Sequence, residues 1–389
     1  MLPSTFTEQK NVYFWPMTLK KITSYALLSL LLISGAAGCS FMHLSPQFGG
    51  EAKGERLKLM QASPNYEDGI FHNPVPTNMD MGFGGIVKMI NSRLFDKTEN
   101  QAPDWQLPVE KLDPGRLASA QDTATVLTWF GHSTFLIELD GKRLLVDPML
   151  GERASPLSFL GPKRFTDELP ITIEDLPFID AVLISHDHYD HLDYGSIKKL
   201  AEKTGHFYVA LGVGAHLERW DIPAEKITEL DWWDEAELAG ITFVATPARH
   251  FSGRGISDRM KTLWTSWVIQ GKNEKIFFSG DTGYFDGFKE IGERYGPFDI
   301  TLLECGQYNE LWQSIHMMPE ETVQAHLDLK GKLMMPIHWG AFTLAMHSWT
   351  DPIERVTKKA RELNVPTTTP RIGEPIILNR SIPKSQWWE

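Results

Sequence analysis

The chain has 389 residues, of which 42% are hydrophobic and 23% charged, enough for one large or two ordinary globular domains. Asp and Glu outnumber Lys and Arg by 50 to 38. The resulting formal charge of -12 argues against nucleic-acid partners, because such a surface repels phosphate groups. The two cysteines, Cys39 and Cys305, exclude a disulfide framework and a cysteine-rich zinc site, so any metal must be held by histidine and carboxylate.

Residues 1–38 are typical of an export signal. From Met17, which we expect to be the true start, two lysines precede an apolar stretch at 22–33 and a run of small residues at 34–38. This apolar stretch is shorter than the roughly 20 residues that a membrane-spanning helix needs. The ending Ala36-Ala37-Gly38 before Cys39 resembles a bacterial lipoprotein cleavage site, with Ala36 where leucine is usual.

We therefore predict that residues 1–38 are removed and that Cys39 carries the lipid anchor. Ser40 follows the cysteine, and in similar lipoproteins the absence of Asp at this place favours the outer membrane. The expected location is the bacterial cell envelope, with the chain facing the periplasm. An ordinary signal peptide is the alternative.

The rest of the chain divides into two parts of different composition. Residues 39–121 are rich in turn-forming residues and lack sustained periodicity, which indicates an arm that wraps the core. From 122 to 389, short apolar runs alternate with turns and fewer helices, which predicts a single α/β domain built on sheets with helices outside. The predicted strands are 124–130, 134–139, 143–147, 180–185, 207–211, 241–246, 265–270, 275–279, 299–304 and 333–337, and the predicted helices are 194–203, 285–294, 318–329 and 351–363.

A histidine-rich motif directly follows the apolar run at 180–184. His186 and His188 project to the same side of an extended segment, because side chains alternate with period two, so both imidazoles can reach one cation. Asp190 and His191, beyond the following turn, can serve a second cation. The carboxyl end of a strand is where α/β proteins usually place their sites.

Three other apolar runs are followed by residues of types that commonly ligate metals. His250 follows the run at 241–246, Asp281 the run at 275–279, and His338 the run at 333–337. We predict two metal sites, one held by His186, His188 and His250 and the other by Asp190, His191 and His338, with Asp281 between them.

Together these residues resemble the metallo-β-lactamase-fold hydrolases, in which the fold is an αββα sandwich of two mixed β-sheets with helices on the outer faces. The resemblance rests on His186-x-His188-x-Asp190-His191, His250, Gly280-Asp281-Thr282-Gly283 and Ile337-His338-Trp339-Gly340. Further stretches are similar to N-acyl-phosphatidylethanolamine-hydrolysing phospholipase D. They include Trp129-Phe130-Gly131-His132-Ser133-Thr134, Gly161-Pro162-Lys163-Arg164-Phe165 and Glu229-Leu230-Asp231-Trp232-Trp233.

The resemblance implies a phosphodiesterase of phospholipase D type that releases an N-acylethanolamine and phosphatidic acid. A hydroxide bridging two zinc ions would attack phosphorus, with Asp190 and Asp281 among the catalytic residues. Zinc is the expected metal, but imidazole and carboxylate groups also bind iron and manganese, so these metals are alternatives. A homodimer is a further expectation from the related lipases, without an interface signature in the sequence.

Three more polar residues are site candidates. His316 matches a histidine of the lipase family that lies near the metals, and we predict that it contacts phosphate or protonates the leaving group; His326 and His347 are alternatives. His132 is expected beside the site or orienting a ligand. Asp147, at the end of the run 143–147, suits an acceptor for the N–H of a liganding imidazole. For both, a purely structural role is the alternative.

Other functions stay open at this point. The ligand set does not define the substrate, so a lactone or sugar phosphate is an alternative, as is a non-catalytic envelope lipoprotein that uses metal for stability. Cys305 ends an apolar run and is expected to be a packed thiol, and Asp281 fills the place between the metals, which argues against β-lactam hydrolysis. Most of the 13 tryptophans are expected in the core, with two or three contacting substrate.

Overall fold

The structure, a computed structural model, describes residues 41–42, 44–78, 98–119 and 124–389. The predicted signal peptide at 1–38 and the predicted lipidation site Cys39 lie outside the described residues. All the elements below belong to the unit that runs from Pro46 to Glu389.

The strands of the described residues form two large sheets and one small hairpin. In chain order they are β1 (Tyr66–Glu67), β2 (Ile70–Phe71), β3 (Val126–Trp129), β4 (Phe135–Leu139), β5 (Lys142–Val146), β6 (Ile179–Ile184), β7 (Thr204–Ala210), β8 (Ile227–Leu230), β9 (Glu235–Leu238), β10 (Ile241–Thr246), β11 (Ser266–Gln270), β12 (Lys275–Phe278), β13 (Ile300–Glu304), β14 (Met334–Ile337) and β15 (Pro375–Ile377).

Both large sheets are mixed and share one pattern. The first has the order β15-β3-β4-β5-β6-β7-β8, antiparallel as far as β5 and parallel from β5 to β8. The second has the order β9-β10-β11-β12-β13-β14, antiparallel as far as β12 and parallel from β12 to β14. The carboxyl ends of the parallel strands therefore share one edge in each sheet.

Seven α-helices are described, and most lie outside the sheets. They are α1 (Gly54–Ala62), α2 (Pro114–Ser119), α3 (Tyr194–Leu200), α4 (Gly214–Arg219), α5 (Gly287–Arg294), α6 (Pro319–Asp328) and α7 (Asp351–Glu362). Helix α6 begins as the sequence predicts, with Pro319 in its first turn, and Glu321 accepts a hydrogen bond from the Met318 N–H at 2.9 Å.

Side-chain alternation along β6 shows how the layers pack. Ala181 and Leu183 belong to the cluster between the sheets, whereas Val182 and Ile184 join Ile197 of α3 on the outer face. The inter-sheet cluster continues through the second sheet to apolar residues of α5, α6 and α7 on its outer face. The helix–sheet–sheet–helix order confirms the predicted αββα sandwich.

The described part of the predicted arm contains more regular structure than its composition indicates. Helix α1 was not predicted, because Met60 is its one buried residue and it has no apolar stripe. The hairpin β1–β2 joins the rest of the unit where the Phe71 N–H donates to the Met260 carbonyl at 2.7 Å. The boundary at residues 121 and 122 stays a prediction.

Most tryptophans of the described residues are core residues. Nine of them are buried: Trp129, Trp220, Trp232, Trp264, Trp267, Trp339, Trp349, Trp387 and Trp388. Trp233 and Trp312 are half-buried. The Trp339 ring stacks on that of Trp387, which lies near the C-terminus, with centroids 5.1 Å apart. Among the described helices none has the length and apolarity needed to cross a membrane.

Candidate metal centre

The site lies where strands of both sheets end. Asp147 follows β5, His186 follows β6 after one serine, Asp281 follows β12, and His338 follows β14. His250 comes four residues after β10. All seven side chains predicted as metal ligands are brought together there, in groups whose donor atoms lie within 4.8 Å of one another.

The first group consists of His186, His188, His250 and Asp281. Nδ1 of His188 lies 2.9 Å from Nε2 of His186 and 3.2 Å from Nε2 of His250. Oδ2 of Asp281 lies 3.8 Å from each of those two Nε2 atoms. Four ligands about 2.0 Å from a tetrahedral zinc ion lie about 3.3 Å from each other, so these donors fit one such ion.

The second group consists of His132, Asp190, His191 and His338. Nε2 of His191 lies 3.5 Å from Oδ2 of Asp190. The other oxygen of Asp281, Oδ1, lies 3.1 Å from Nε2 of His191 and 3.1 Å from Nδ1 of His338. Asp281 thus presents one oxygen to each group, which is the position between two cations that the sequence predicts.

Unsatisfied polar atoms support the fit to metal. Among the described residues, His191 Nε2, His338 Nε2 and Asp281 Oδ1 are buried without a hydrogen-bond partner. Buried polar atoms are rarely left unpaired, and several at one place call for a ligand or ion. The donors are imidazoles and carboxylates, which suit zinc, iron or manganese. Their role as ligands stays a prediction.

Asp147 controls which nitrogen of two rings is free. Its Oδ2 accepts hydrogen bonds from Nδ1 of His191 at 2.7 Å and from the Ser185 hydroxyl at 2.6 Å. The serine proton is directed to Asp147, so Ser185 Oγ accepts from Nδ1 of His186 at 2.9 Å. In their neutral forms both imidazoles therefore carry their proton on Nδ1 and leave Nε2 as a lone pair facing the centre.

Burial favours the neutral form of most rings at the centre. Burial lowers the pKa of four imidazoles that face one another, those of His186, His188, His250 and His338. Each of these rings is therefore neutral and keeps a lone pair for a cation. The Nδ1 of His250 donates to the Ile315 carbonyl at 2.9 Å, which again leaves Nε2 free. Burial also raises the pKa of the Asp281 carboxyl to about 6, a direction that an adjacent cation would reverse.

His132 contacts a predicted ligand. Its Nε2–H donates to Oδ2 of Asp190 at 2.8 Å, so it lies where a residue that orients this carboxylate is expected. It occupies the left-handed region with a φ of 54°, as do Asp147 at 41° and His338 at 66°. Such conformations are strained for residues other than glycine and cluster at functional sites.

His316 lies against both groups. One of its ring nitrogens lies within 4.8 Å of a carboxylate oxygen of Asp281 and of a ring nitrogen of His338. Its ring stacks on that of His338 with centroids 5.4 Å apart. Of the two alternatives, His326 forms a hydrogen bond with Thr301 at 2.7 Å and His347 stacks on Tyr308. Neither belongs to a candidate metal-binding group of the described residues.

Sequence reasoning missed Glu304, the buried last residue of β13. Its Oε1 accepts from the backbone N–H of Met317 at 3.0 Å and of Thr282 at 3.2 Å, and its Oε2 lies 3.4 Å from Nδ1 of His316. It therefore joins the loop of His316 to the loop of Asp281. The signal that identified Asp281, an acidic residue at the end of an apolar run, is also present at Glu304. Glu304 instead falls inside the predicted strand 299–304.

The next residue, Cys305, is completely buried and lies near the Ile337 carbonyl, and burial raises the pKa of its thiol. It belongs to none of the candidate metal-binding groups among the described residues. These contacts agree with the expected packed thiol.

A family model described as the β-lactamase superfamily domain matches residues 142–339, about half of the chain. The chain belongs to the metallo-β-lactamase superfamily. Within it, the chain is 40% identical over 356 residues to an uncharacterized protein of Mycobacterium tuberculosis, covering 89% of this chain and 93% of the other. It is 34% identical over 301 residues to N-acyl-phosphatidylethanolamine-hydrolyzing phospholipase D 1 of Caenorhabditis elegans, covering 73% and 84%.

A shorter match is 48% identical over 100 residues to outer membrane protein RomA of Klebsiella pneumoniae, covering 26% of this chain and 75% of that one. Among solved structures, the metallo hydrolase Igni18 of Ignicoccus hospitalis has a TM-score of 0.52 at 24% identity, covering 67% of this chain and all of that chain. CmlA of Streptomyces venezuelae, a diiron β-hydroxylase, has a TM-score of 0.50 at 17% identity, covering 67% and 55%. These structures show the shared fold, and the sequence relatives confirm the resemblance to the lipase family.

Proposed function

We propose that this superfamily member is a metal-dependent phosphodiesterase of phospholipase D type acting on N-acyl-phosphatidylethanolamine-like lipids. The Asp281 side chain carries the proposal, because its two oxygens face two separate groups of imidazoles. A structural zinc site is closed by four ligands and needs no second group. When bound, two cations there would supply a hydroxide at neutral pH and positive charge for the phosphate oxygens.

The charge of the donor set favours a phosphodiester. Asp190 and Asp281 reduce the four positive charges of two divalent ions to two, which a hydroxide reduces to about one. This remaining charge complements a monoanionic diester better than a neutral lactone. The relative in Caenorhabditis elegans supports the lipid assignment, since its name gives such a lipid as its substrate.

His316 is proposed to protonate the leaving alcohol. Its ring lies against His250 and His338, with centroids 5.0 and 5.4 Å away. With Nδ1 facing Glu304, the opposite nitrogen, Nε2, is the one placed to hold a proton for substrate.

A substrate panel tests the proposed function. Purified protein loaded with zinc, iron or manganese is assayed on N-acyl-phosphatidylethanolamine, phosphatidylcholine, a cyclic lactone and a sugar phosphate, and its metal content is measured. We expect two metals per chain and fastest turnover of the N-acyl lipid. Turnover of only the lactone or the sugar phosphate would favour that alternative substrate. Two bound metals without hydrolysis of any substrate in the panel would favour the non-catalytic envelope protein.

Asp281→Asn tests the bridging carboxylate. It removes one negative charge from between the metals with little change in volume, and we expect turnover to fall at least 100-fold. The matched control is Asp299→Asn, directly before β13, where the Asp299 carboxylate accepts from the Lys275 backbone N–H and the Lys332 side chain. Unchanged turnover in Asp281→Asn would show that the ligand assignment is wrong.

We also propose that the chain is exported and lipid-anchored at the outer membrane. The cleavage pattern before Cys39 supports this location, and so does the similarity to RomA, an outer membrane protein. Labelled palmitate should enter the wild-type chain but not Cys39→Ala, and the variant should leave the outer-membrane fraction. Equal labelling of both chains would contradict the anchor.

A further inference from the structure

The arm segment 46–50 lies behind the metal-binding loop, which we define as residues 186–192. The Trp220 Nε1–H donates to the carbonyl of Pro46 at 2.6 Å. Arg254 donates to the carbonyl of Gln47 from Nε at 3.0 Å and from a terminal nitrogen at 2.7 Å. These contacts join residues that are more than 170 positions apart in sequence.

Arg254 also holds both ends of the metal-binding loop. Its other terminal nitrogen donates to the carbonyl of Asp187 at 2.6 Å and to the carbonyl of Leu192 at 2.8 Å. The guanidinium is buried, with 3% of the residue exposed, and lies over the Tyr189 ring at 4.2 Å. One side chain therefore links the arm to the start and the end of the loop.

His216 provides a second link. The Gly50 N–H donates to its Nδ1 at 3.0 Å, so the ring hydrogen lies on Nε2, which is 3.2 Å from Oδ2 of Asp187. Asp187 also accepts from the Gly253 N–H at 2.7 Å and the Thr262 hydroxyl at 2.8 Å. With Asp187 fixed on this side, the alternation of side chains directs His186 and His188 to the other side.

We propose that the arm segment 46–50, through His216 and Arg254, is a positioning part of the metal centre that sets its affinity for metal. Removing hydrogen-bonded partners that orient metal ligands typically lowers metal affinity about 10- to 100-fold. The inference needs the metal centre of the proposed function but not its lipid substrate.

Gly49 gives a sharp test. It has a φ of +78°, and an added Cβ would lie 2.1 Å from Nδ1 of His216, so Gly49→Ala must displace that ring. Gly69→Ala is the matched control in the same arm. Its φ is +84° and nothing lies within 4 Å of an added Cβ, so it carries the same backbone strain without the clash. His216→Gln is a second variant that leaves the backbone of the arm unchanged.

The experiment measures metal affinity of the full mature chain by competition with a chromophoric chelator, alongside the absorption spectrum of the cobalt-loaded protein. Thermal unfolding of the metal-free variants reports folding separately. We expect affinity to fall about ten-fold or more in Gly49→Ala and His216→Gln, with altered cobalt bands, and to change less than two-fold in Gly69→Ala.

Wild-type affinity in both Gly49→Ala and His216→Gln would overturn the inference. So would a loss of binding that matches the fraction of unfolded chain, because the arm would then act on folding alone. A wild-type chain that binds no metal would refute the proposed function instead, so the two failures are distinguishable.

Discussion

The hydrogen bonds of Asp147 predict that one isosteric substitution disturbs both metal sites. In Asp147→Asn, an amide NH₂ at the position of Oδ2 would face two donors, the His191 Nδ1–H and the Ser185 hydroxyl. The amide can donate instead only if His191 moves its proton to Nε2. The Ser185 hydroxyl would then turn towards Nδ1 of His186, which would also move its proton to Nε2. Both rings would present N–H groups where lone pairs are needed.

The expected magnitude follows from this change of tautomer. Loss of an orienting partner typically costs 10- to 100-fold in metal affinity, about 1.4 to 2.7 kcal/mol per site. The second site should be weakened most, because His191 contacts Asp147 directly, whereas His186 is reached through Ser185. The alternative amide orientation leaves buried donors unpaired and costs about 1–3 kcal/mol of folding stability.

Metal stoichiometry after dialysis, followed by calorimetric titration, measures both sites. Ser185→Ala removes only the link to His186 and should weaken the first site alone, and Asp299→Asn is the matched control outside the centre. If Asp147→Asn kept two metals at wild-type affinity, the proton assignment of His191 and His186 would be wrong.

Further predictions concern catalysis and stability. His316→Gln should lower turnover of an alkyl phosphodiester about 100-fold, but it should change turnover of a nitrophenyl phosphodiester little, because that leaving group needs no proton. Glu304→Gln should cause no further loss of turnover in the His316→Gln background. Additive losses would contradict a shared role of the two residues. His347→Gln is the control for the histidine. Trp387→Ala should lower the free energy of unfolding by about 3–5 kcal/mol, measured by denaturant titration, because a buried ring is removed from the stack on Trp339. Metal removal by chelation should lower the midpoint of thermal unfolding, since metal at 100 times its dissociation constant contributes about 2.7 kcal/mol; an unchanged midpoint would contradict binding to the folded state.

The predictable strands are those with continuous apolar runs. β6 and β13 are buried along most of their length, so their sequences predict them without knowledge of the neighbours. β8 and β9 were missed because Glu229, Glu235 and Glu237 interrupt their apolar pattern. Each of these strands lies at an edge of its sheet, where charged residues are common. Helix α4 was missed because it has six residues and begins at a glycine.

The site was predictable to the extent that polar residues end strands. His186, Asp281 and His338 each follow a strand, and the topology brings such ends together. The contacts of Arg254 and His216 with the arm were not predictable. They join distant segments through backbone carbonyl and N–H groups, which carry no sequence signal.

The stacked tryptophans give the protein an intrinsic optical probe. Trp339 follows His338 directly, and its ring lies 5.1 Å from that of Trp387 and 5.7 Å from that of Trp129. Any shift of His338 as a cation binds is transmitted through one peptide bond to this stack. Emission of the unlabelled protein should therefore change with metal occupancy, which allows loading to be followed in real time without a dye.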